Sequence, residues 1–210
     1  VGVEWCEESA FRQLELLVER AEFSAVKIGL VPSLDFLERL LDRLGELRVV
    51  APVVWDPILT ASAGFDFHAE ELVRSEVRQR MAALMGRVDL ATPNAQEFRA
   101  IFGVDDEGEE EGLKIDFVPP CDLLVKSALV RESEVGDLLL LKSGGQREFW
   151  KRRREGISKH GSGCVLASLI AAGLARGESV VESVERAAVD YERFYFSSET
   201  RLGFWNGEVL

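Results

Sequence analysis

The chain has 210 residues, of which 47% are hydrophobic and 30% charged, and its formal net charge is -12. That length suffices for one domain with a core of its own, and the composition is that of an ordinary globular protein. The negative charge excludes a nucleic-acid backbone or an anionic membrane surface as the main partner, but not ATP, which local backbone N–H groups and Mg2+ can hold.

Glu8 to Glu22 reads as an amphipathic helix, with Phe11, Leu14, Leu17 and Val18 at helical spacing. Ser24 to Leu30 reads as a short buried strand. Ser33 caps a second helix whose apolar face is Leu34, Leu37, Leu40, Leu41 and Leu44. Val49 to Trp55 is β-rich and ends at Asp56-Pro57. Ala69 to Met85 reads as helix, and Val88 to Thr92 as strand. Asn94 and Glu97 open another helix, with Phe98 and Ile101 on its inner side. Asp105 to Gly112 is acidic and reads as a solvated loop. Asp122 to Lys126 is a strand. Val135 to Lys142 and Gln146 to Trp150 form a hairpin around Ser143-Gly144-Gly145. Lys151-Arg152-Arg153-Arg154 reads as a solvated basic face. A glycine turn then leads into an apolar helix, Ser183 to Phe196 is the last helix, and an aromatic pair, Phe204-Trp205, lies in the tail.

Strands alternating with helices imply a mostly parallel sheet covered on both faces, a three-layer αβα sandwich. Ligands of such sheets bind beyond the carboxyl ends of the strands. Asp56, Asn94 and Lys126 fall there, and so does the turn Lys159-His160-Gly161-Ser162-Gly163-Cys164. Its glycines permit positive φ and close approach, and the following helix N-terminus offers free N–H groups to an anion. Cys164 would feel that field, which is expected to lower its pKa. The hexapeptide alone is also what a plain loop looks like. Asp56 is either a satisfied turn carboxylate or a Mg2+ holder, directly or through water. Asn94 and Glu97 are either a capping box or part of a metal-water shell beside phosphates. Lys126 either snorkels or pairs with phosphate oxygens.

These parts suit phosphoryl transfer, which needs positioning, cations, donors for equatorial oxygens and a proton acceptor. There is no GxxxxGK[ST] and no strand-borne GxGxxG. Cys6, Cys121 and Cys164 are odd in number and widely spaced, which implies no disulfide framework and a reducing cytoplasm. No apolar run reaches the roughly 18 residues of a membrane span, and no signal peptide is seen. The chain opens on Val1, not Met, and is read as part of a longer protein.

Ala25-Val26-Lys27-Ile28-Gly29-Leu30, Asp56-Pro57-Ile58-Leu59, Thr92-Pro93-Asn94-Ala95-Gln96-Glu97, Leu124-Val125-Lys126 and His160-Gly161-Ser162-Gly163-Cys164 appear in the order and spacing of hydroxymethylpyrimidine kinases. The chain resembles that family, also called phosphomethylpyrimidine kinases, of the ribokinase-like superfamily. Gly64-Phe65-Asp66-Phe67-His68 and Leu202-Gly203-Phe204-Trp205 look like a bacterial subgroup of it. The resemblance implies a single ribokinase-like domain over residues 1–210. It implies ATP-dependent phosphorylation of hydroxymethylpyrimidine or its monophosphate in thiamine biosynthesis, with Mg2+, in a cytoplasmic homodimer. By position, Cys164 is the catalytic residue, and the N–H groups of Gly161, Ser162, Gly163 and Cys164 form the anion hole. Asp56, Asn94 and Glu97 serve the phosphates, Asp56 and Glu97 also Mg2+ through water, and Lys126 contacts the nucleotide. Two departures stand out. The family's first strand and Gly-rich substrate segment have no counterpart before Val1, and its Lys-Gly-Gly-His is here Lys126-Ser127-Ala128-Leu129. The alternatives are a pyridoxal kinase of the same superfamily and a protein that binds a pyrimidine or nucleotide without catalysis.

Overall fold

The computed structural model describes residues 6–59, 74–104, 118–153 and 159–204. The elements run α1 (Glu7–Val18), β1 (Val26–Ile28), α2 (Leu34–Glu46), β2 (Val53–Trp55), α3 (Ser75–Met85), β3 (Leu90–Ala91), α4 (Ala95–Phe102), β4 (Asp122–Val130), β5 (Glu134–Leu140), β6 (Gln146–Arg152), α5 (Ser162–Ala175) and α6 (Val180–Tyr195). One six-stranded sheet contains β1 to β6 in chain order. Its first four strands pair parallel. The last three form an antiparallel meander.

Strand periodicity divides the core between the two faces of this sheet. Trp55, Ala91, Leu123, Val125, Leu138 and Leu140 pack with α2, α3 and α4. Their neighbours Val54, Leu90, Leu124 and Leu139 point the other way, against Leu166, Ala167 and Ile170 of α5 and Val184 and Ala187 of α6. The result is the expected three-layer α/β sandwich. Strands covered on both faces read as continuous apolar runs, so 122–126 and 135–141 show no clean alternation in sequence.

Local signals set several helix starts. The Ser33 hydroxyl accepts the Phe36 N–H at 3.1 Å. Asn94 and Glu97 form a reciprocal capping box at the start of α4, which ends on Gly103 in the left-handed region at φ 66°. A second capping box, Ser179 with Glu182, starts α6 before the Ser183 expected from sequence. Among the described helices none is long and apolar enough to cross a membrane.

Other boundaries differ for physical reasons. The first helix stops at Val18, four residues short of the expected Glu22. β4 continues to Val130 because β5 pairs with its far end, and the register shifts between Val125 and Leu129. That irregularity holds Lys126 and Ser127, and Ser127 has φ 53°. The Asp137 carboxylate steadies it by accepting the Ser127 N–H at 2.8 Å. Lys151 does not belong to a solvated face: it lies in β6 and its Nζ sits 2.7 Å from the buried Asp137 Oδ2. The acidic loop 105–112, residues 64–68, the first part of the expected helix 69–85, Arg154 and Trp205 lie outside the described residues.

Candidate active site

The carboxyl ends of β2 and β3 and the irregular middle of β4 each deliver one polar group to the same place. Asp56 follows β2 and is 1% exposed, its N–H donating to the Ile28 carbonyl at 2.9 Å. Its Oδ1 accepts from Lys126 Nζ at 2.7 Å and from the Thr92 hydroxyl at 3.2 Å. Lys126 is fixed in turn by its N–H, which donates to the Pro93 carbonyl at 2.8 Å. It is therefore an ion-paired lysine at the irregularity inside β4, not the strand-end lysine expected from sequence and not one that snorkels into water. Asn94 and Glu97 fill the capping role: Oε2 of Glu97 accepts the Asn94 N–H at 2.7 Å, and Asn94 Oδ1 accepts the Glu97 N–H at 2.9 Å. Glu97 is buried, which pushes its pKa up, while Lys126 and the Asn94 N–H pull it down.

The glycine turn approaches this cluster from the opposite layer. Gly161 is the N-cap of α5, with φ 73° and no side-chain cap. The Ser162 N–H turns back to the Lys159 carbonyl at 3.4 Å, while the next N–H groups of the first turn, those of Gly163 and Cys164, have neither an intrahelical acceptor nor a side-chain cap. This turn lies against the Asp56–Lys126 pair: a Cβ placed on Gly163 would lie 3.1 Å from Lys126 Nζ and 4.0 Å from Asp56 Oδ2. Glycine at that position lets helix and ammonium share the space. At Gly161 a Cβ would meet nothing within 4 Å, so only the backbone conformation resists substitution. Gly161→Ala is expected to cost about 1 kcal/mol, the left-handed penalty alone. Urea unfolding checks it; a loss near 4 kcal/mol would mean that the turn is constrained by contacts instead.

Cys164, in the first turn of α5, is half-buried and free. The lowered pKa expected from the helix terminus is not found. Burial pushes the thiol up, and the neighbouring Asp56 adds to this by its charge and by hydrogen bonding to the thiol. Lys27 and Lys126 pull in the other direction. The expectation weighed the helix field without the buried carboxylate that β2 places beside it.

A cleft of about 530 Å3 is lined by all eight residues named from sequence: Asp56, Asn94, Glu97, Lys126, Gly161, Ser162, Gly163 and Cys164. Leu30, Ile58, Ser127, Lys151, Leu166 and Tyr191 complete its wall. A smaller cavity of about 270 Å3 adjoins it, sharing Ser127, Lys151 and Tyr191 and adding Val130, Val135, Tyr195 and Phe196.

Three contributors escaped the sequence reading. Lys27 sits in the otherwise apolar β1, with its Nζ folded back over Gly29 towards the strand end. Its signal was a charge inside a buried run. Tyr191 hydrogen-bonds Ser162, and burial pushes its phenol up to about 12. Its spacing from Val184 and Ala187 marks the inner stripe of α6, which indicates burial but no role. Lys151 has its Nζ 5.1 Å from the centre of the Tyr191 ring and is held by Asp137 at 2.7 and 2.9 Å. Nothing in the linear pattern joins those three residues.

Among the described residues no group of three or more His, Cys, Asp or Glu could hold a metal ion by itself. Asp56 and Glu97 already accept hydrogen bonds. That donor set fits Mg2+ carried on phosphates and touched through water, the usual arrangement for this ion, and does not fit an all-protein cage.

A family model described as phosphomethylpyrimidine kinase matches residues 3–209. A hydroxymethylpyrimidine/phosphomethylpyrimidine kinase of Streptomyces coelicolor is 32% identical over 210 residues, covering 96% of this chain and 73% of that protein. A chloroplastic thiamine biosynthetic bifunctional enzyme of Arabidopsis thaliana is 30% identical over 204 residues, covering 86% of this chain but only 36% of that enzyme. Among solved structures, the pyridoxal kinase of Entamoeba histolytica superposes with a TM-score of 0.71 at 18% identity, covering 97% of this chain and 75% of that one. A phosphomethylpyrimidine kinase of Clostridium difficile gives 0.60 at 22% identity, covering 89% and 75%. These two likenesses show a shared fold.

Proposed function

We propose that this chain, which belongs to the phosphomethylpyrimidine kinase family, transfers the γ-phosphoryl group of ATP to the hydroxymethyl group of hydroxymethylpyrimidine, or to its monophosphate, in thiamine biosynthesis. The observation that carries the reading is the uncapped N-terminal turn of α5 set against the Lys126 ammonium in one cleft. A loose phosphoryl transition state spreads negative charge over its equatorial oxygens. The N–H groups of Gly163 and Cys164 and the Lys126 ammonium are placed to receive that charge. The acceptor oxygen forms its bond to phosphorus as the bridging bond to ADP breaks, and the hydroxyl proton passes to Cys164 in its thiolate form, which leaves the thiol to give that proton back to water before the next turnover. Asp56 and Glu97 would hold Mg2+ carried on the phosphates through water, and the ion would supply further charge neutralisation there. The cavity beyond Ser127, where Val130, Val135, Tyr195 and Phe196 offer apolar wall and Arg152, Arg153 and Glu192 a charged rim, suits the flat base of the nucleotide.

A cytoplasmic setting fits three free thiols, while a homodimer rests on the family resemblance alone. Mass spectrometry of the chain incubated with Mg-ATP, hydroxymethylpyrimidine and pyridoxal in competition tests the reading. Phosphorylated pyrimidine as the main product is expected. Phosphorylated pyridoxal as the main product would move the assignment to pyridoxal kinase. Saturable nucleotide binding without any product would leave a binding protein.

A further inference from the structure

Lys27 is the one charge in β1, between Val26 and Ile28. Ile28 packs on the side of the sheet that faces α2, α3 and α4. Lys27 therefore projects to the other side. Its register partner Val54 gives the same direction, since Val54 packs with Leu166 and Ala167 of α5. The side chain then runs towards the carboxyl end of the strand. A Cβ on Gly29 would lie 2.7 Å from Nζ, so the glycine leaves the ammonium its place. Leu30, the next residue, is wall of the cleft. From there the charge of Lys27 reaches the Cys164 thiol, opposing the burial and the Asp56 carboxylate that raise the thiol pKa.

The two lysines of the cleft wall are already neutralised. Lys126 Nζ is 2.7 Å from Asp56 Oδ1, and Lys151 Nζ is 2.7 Å from Asp137 Oδ2. Among the described residues no hydrogen bond or ion pair does the same for Lys27, a half-buried ammonium on the inner face of the sheet. A charge held there without a partner lowers stability, and an incoming anion relieves that cost.

We propose that the Lys27 ammonium makes the Cys164 end of the cleft an anion subsite, and that it receives the phosphate of a phosphomonoester acceptor. The subsite stands by itself; the identity of its anion rests on the kinase reading. With the donor phosphates against the α5 turn and Lys126, the acceptor lies beside Cys164. A hydroxymethyl group brings no charge there. Its monophosphate brings about two negative charges near neutrality, close to the Asp56 carboxylate and the γ-phosphate. An oxygen of the monoester attacks the γ-phosphorus as the bond to the ADP oxygen breaks, and in the dianion that oxygen carries no proton to be removed. This acceptor calls for a positive charge that is not already paired, and Lys27 is such a charge.

Alkylation of Cys164 by iodoacetate and by iodoacetamide, followed by peptide mass spectrometry, tests the subsite with no need for activity. Both reagents consume the same thiolate, so the ratio of their rates cancels the thiol pKa and reports local charge. Lys27→Met is expected to lower the iodoacetate-to-iodoacetamide ratio about fourfold, and Lys27→Arg to keep it. An unchanged ratio in Lys27→Met overturns the proposal. Thermal unfolding separates a structural role. Lys27→Met exchanges an unpaired charge for an apolar stem, so its midpoint should equal or exceed that of the unmodified chain. A fall of more than about 5 °C, or failure to fold, would make Lys27 a structural group and overturn the proposal as well. With Mg-ATP, Lys27→Met should raise KM for the monophosphate at least about 10-fold and KM for hydroxymethylpyrimidine less than about twofold. Equal rises would remove the acceptor phosphate as the anion. No product from either acceptor in the unmodified chain would sink the kinase reading and with it the anion's identity, while the alkylation ratio still decides the subsite.

Discussion

Cys164→Ala is expected to lower turnover by about two orders of magnitude while Mg-ADP binding is retained. The thiol stands in the first turn of α5, at the mouth of the N–H groups that would hold the transferred phosphoryl group. Loss of a proton acceptor costs roughly 10^2 to 10^4 in rate. The low end applies here because burial and Asp56 raise the thiol pKa and keep the thiolate a minority near neutrality. The sign of the pH dependence follows. The thiolate fraction grows with pH and, with the pKa raised, keeps growing beyond the ordinary thiol range. Turnover of the unmodified chain should climb through that range by about one log unit per pH unit. The alanine variant should be flat. Equal slopes in both proteins would take Cys164 out of the proton path.

Lys126→Met is expected to lose about 3 kcal/mol of stability, the cost of leaving one member of a buried ion pair alone. The side chains of Lys126 and Asp56 are 13% and 2% exposed, so the carboxylate left behind has little contact with water to offset the missing ammonium. Beside Asp56 only the Thr92 hydroxyl would remain on Oδ1. Combining Lys126→Met with Asp56→Leu should recover part of this loss, since a buried pair removed whole costs less than a pair broken in half. Additive losses in a urea-unfolding cycle would show that the two side chains are not coupled. The single variant should also bind Mg-ADP more weakly, for Lys126 is the cation set against the glycine turn.

The α/β class, most helix faces and the place of the cleft were legible because strand ends carry strong punctuation. Asp56-Pro57, Thr92-Pro93-Asn94 and Gly161-Ser162-Gly163 each combine a turn former with a polar group. The topology of a parallel sheet then brings such groups to one edge. The capping alternative for Asn94 and Glu97 was readable from their three-residue spacing, and the structure shows it made in both directions. What the linear pattern hid were pairings between distant strands. Asp137 reads as one charge in an apolar run and Lys151 as the start of a basic cluster, yet together they steady the turn after Lys126 and one wall of the cleft. Lys159 was noted only as the first letter of a glycine turn, because the carbonyls that surround it come from a segment with no apolar period to announce it. The pKa of Cys164 went astray for the same reason. A helix terminus is visible in sequence, whereas a carboxylate delivered from another strand is not.

The most direct test of the cleft as a phosphoryl-transfer site is the binding of Mg-ADP with aluminium fluoride, a planar mimic of the group in flight, in the presence of hydroxymethylpyrimidine. Isothermal titration should show the fluoride complex bound at least about 100-fold more tightly than Mg-ADP alone, because the turn and Lys126 are arranged for the transition state. Equal affinity with and without fluoride would contradict the account.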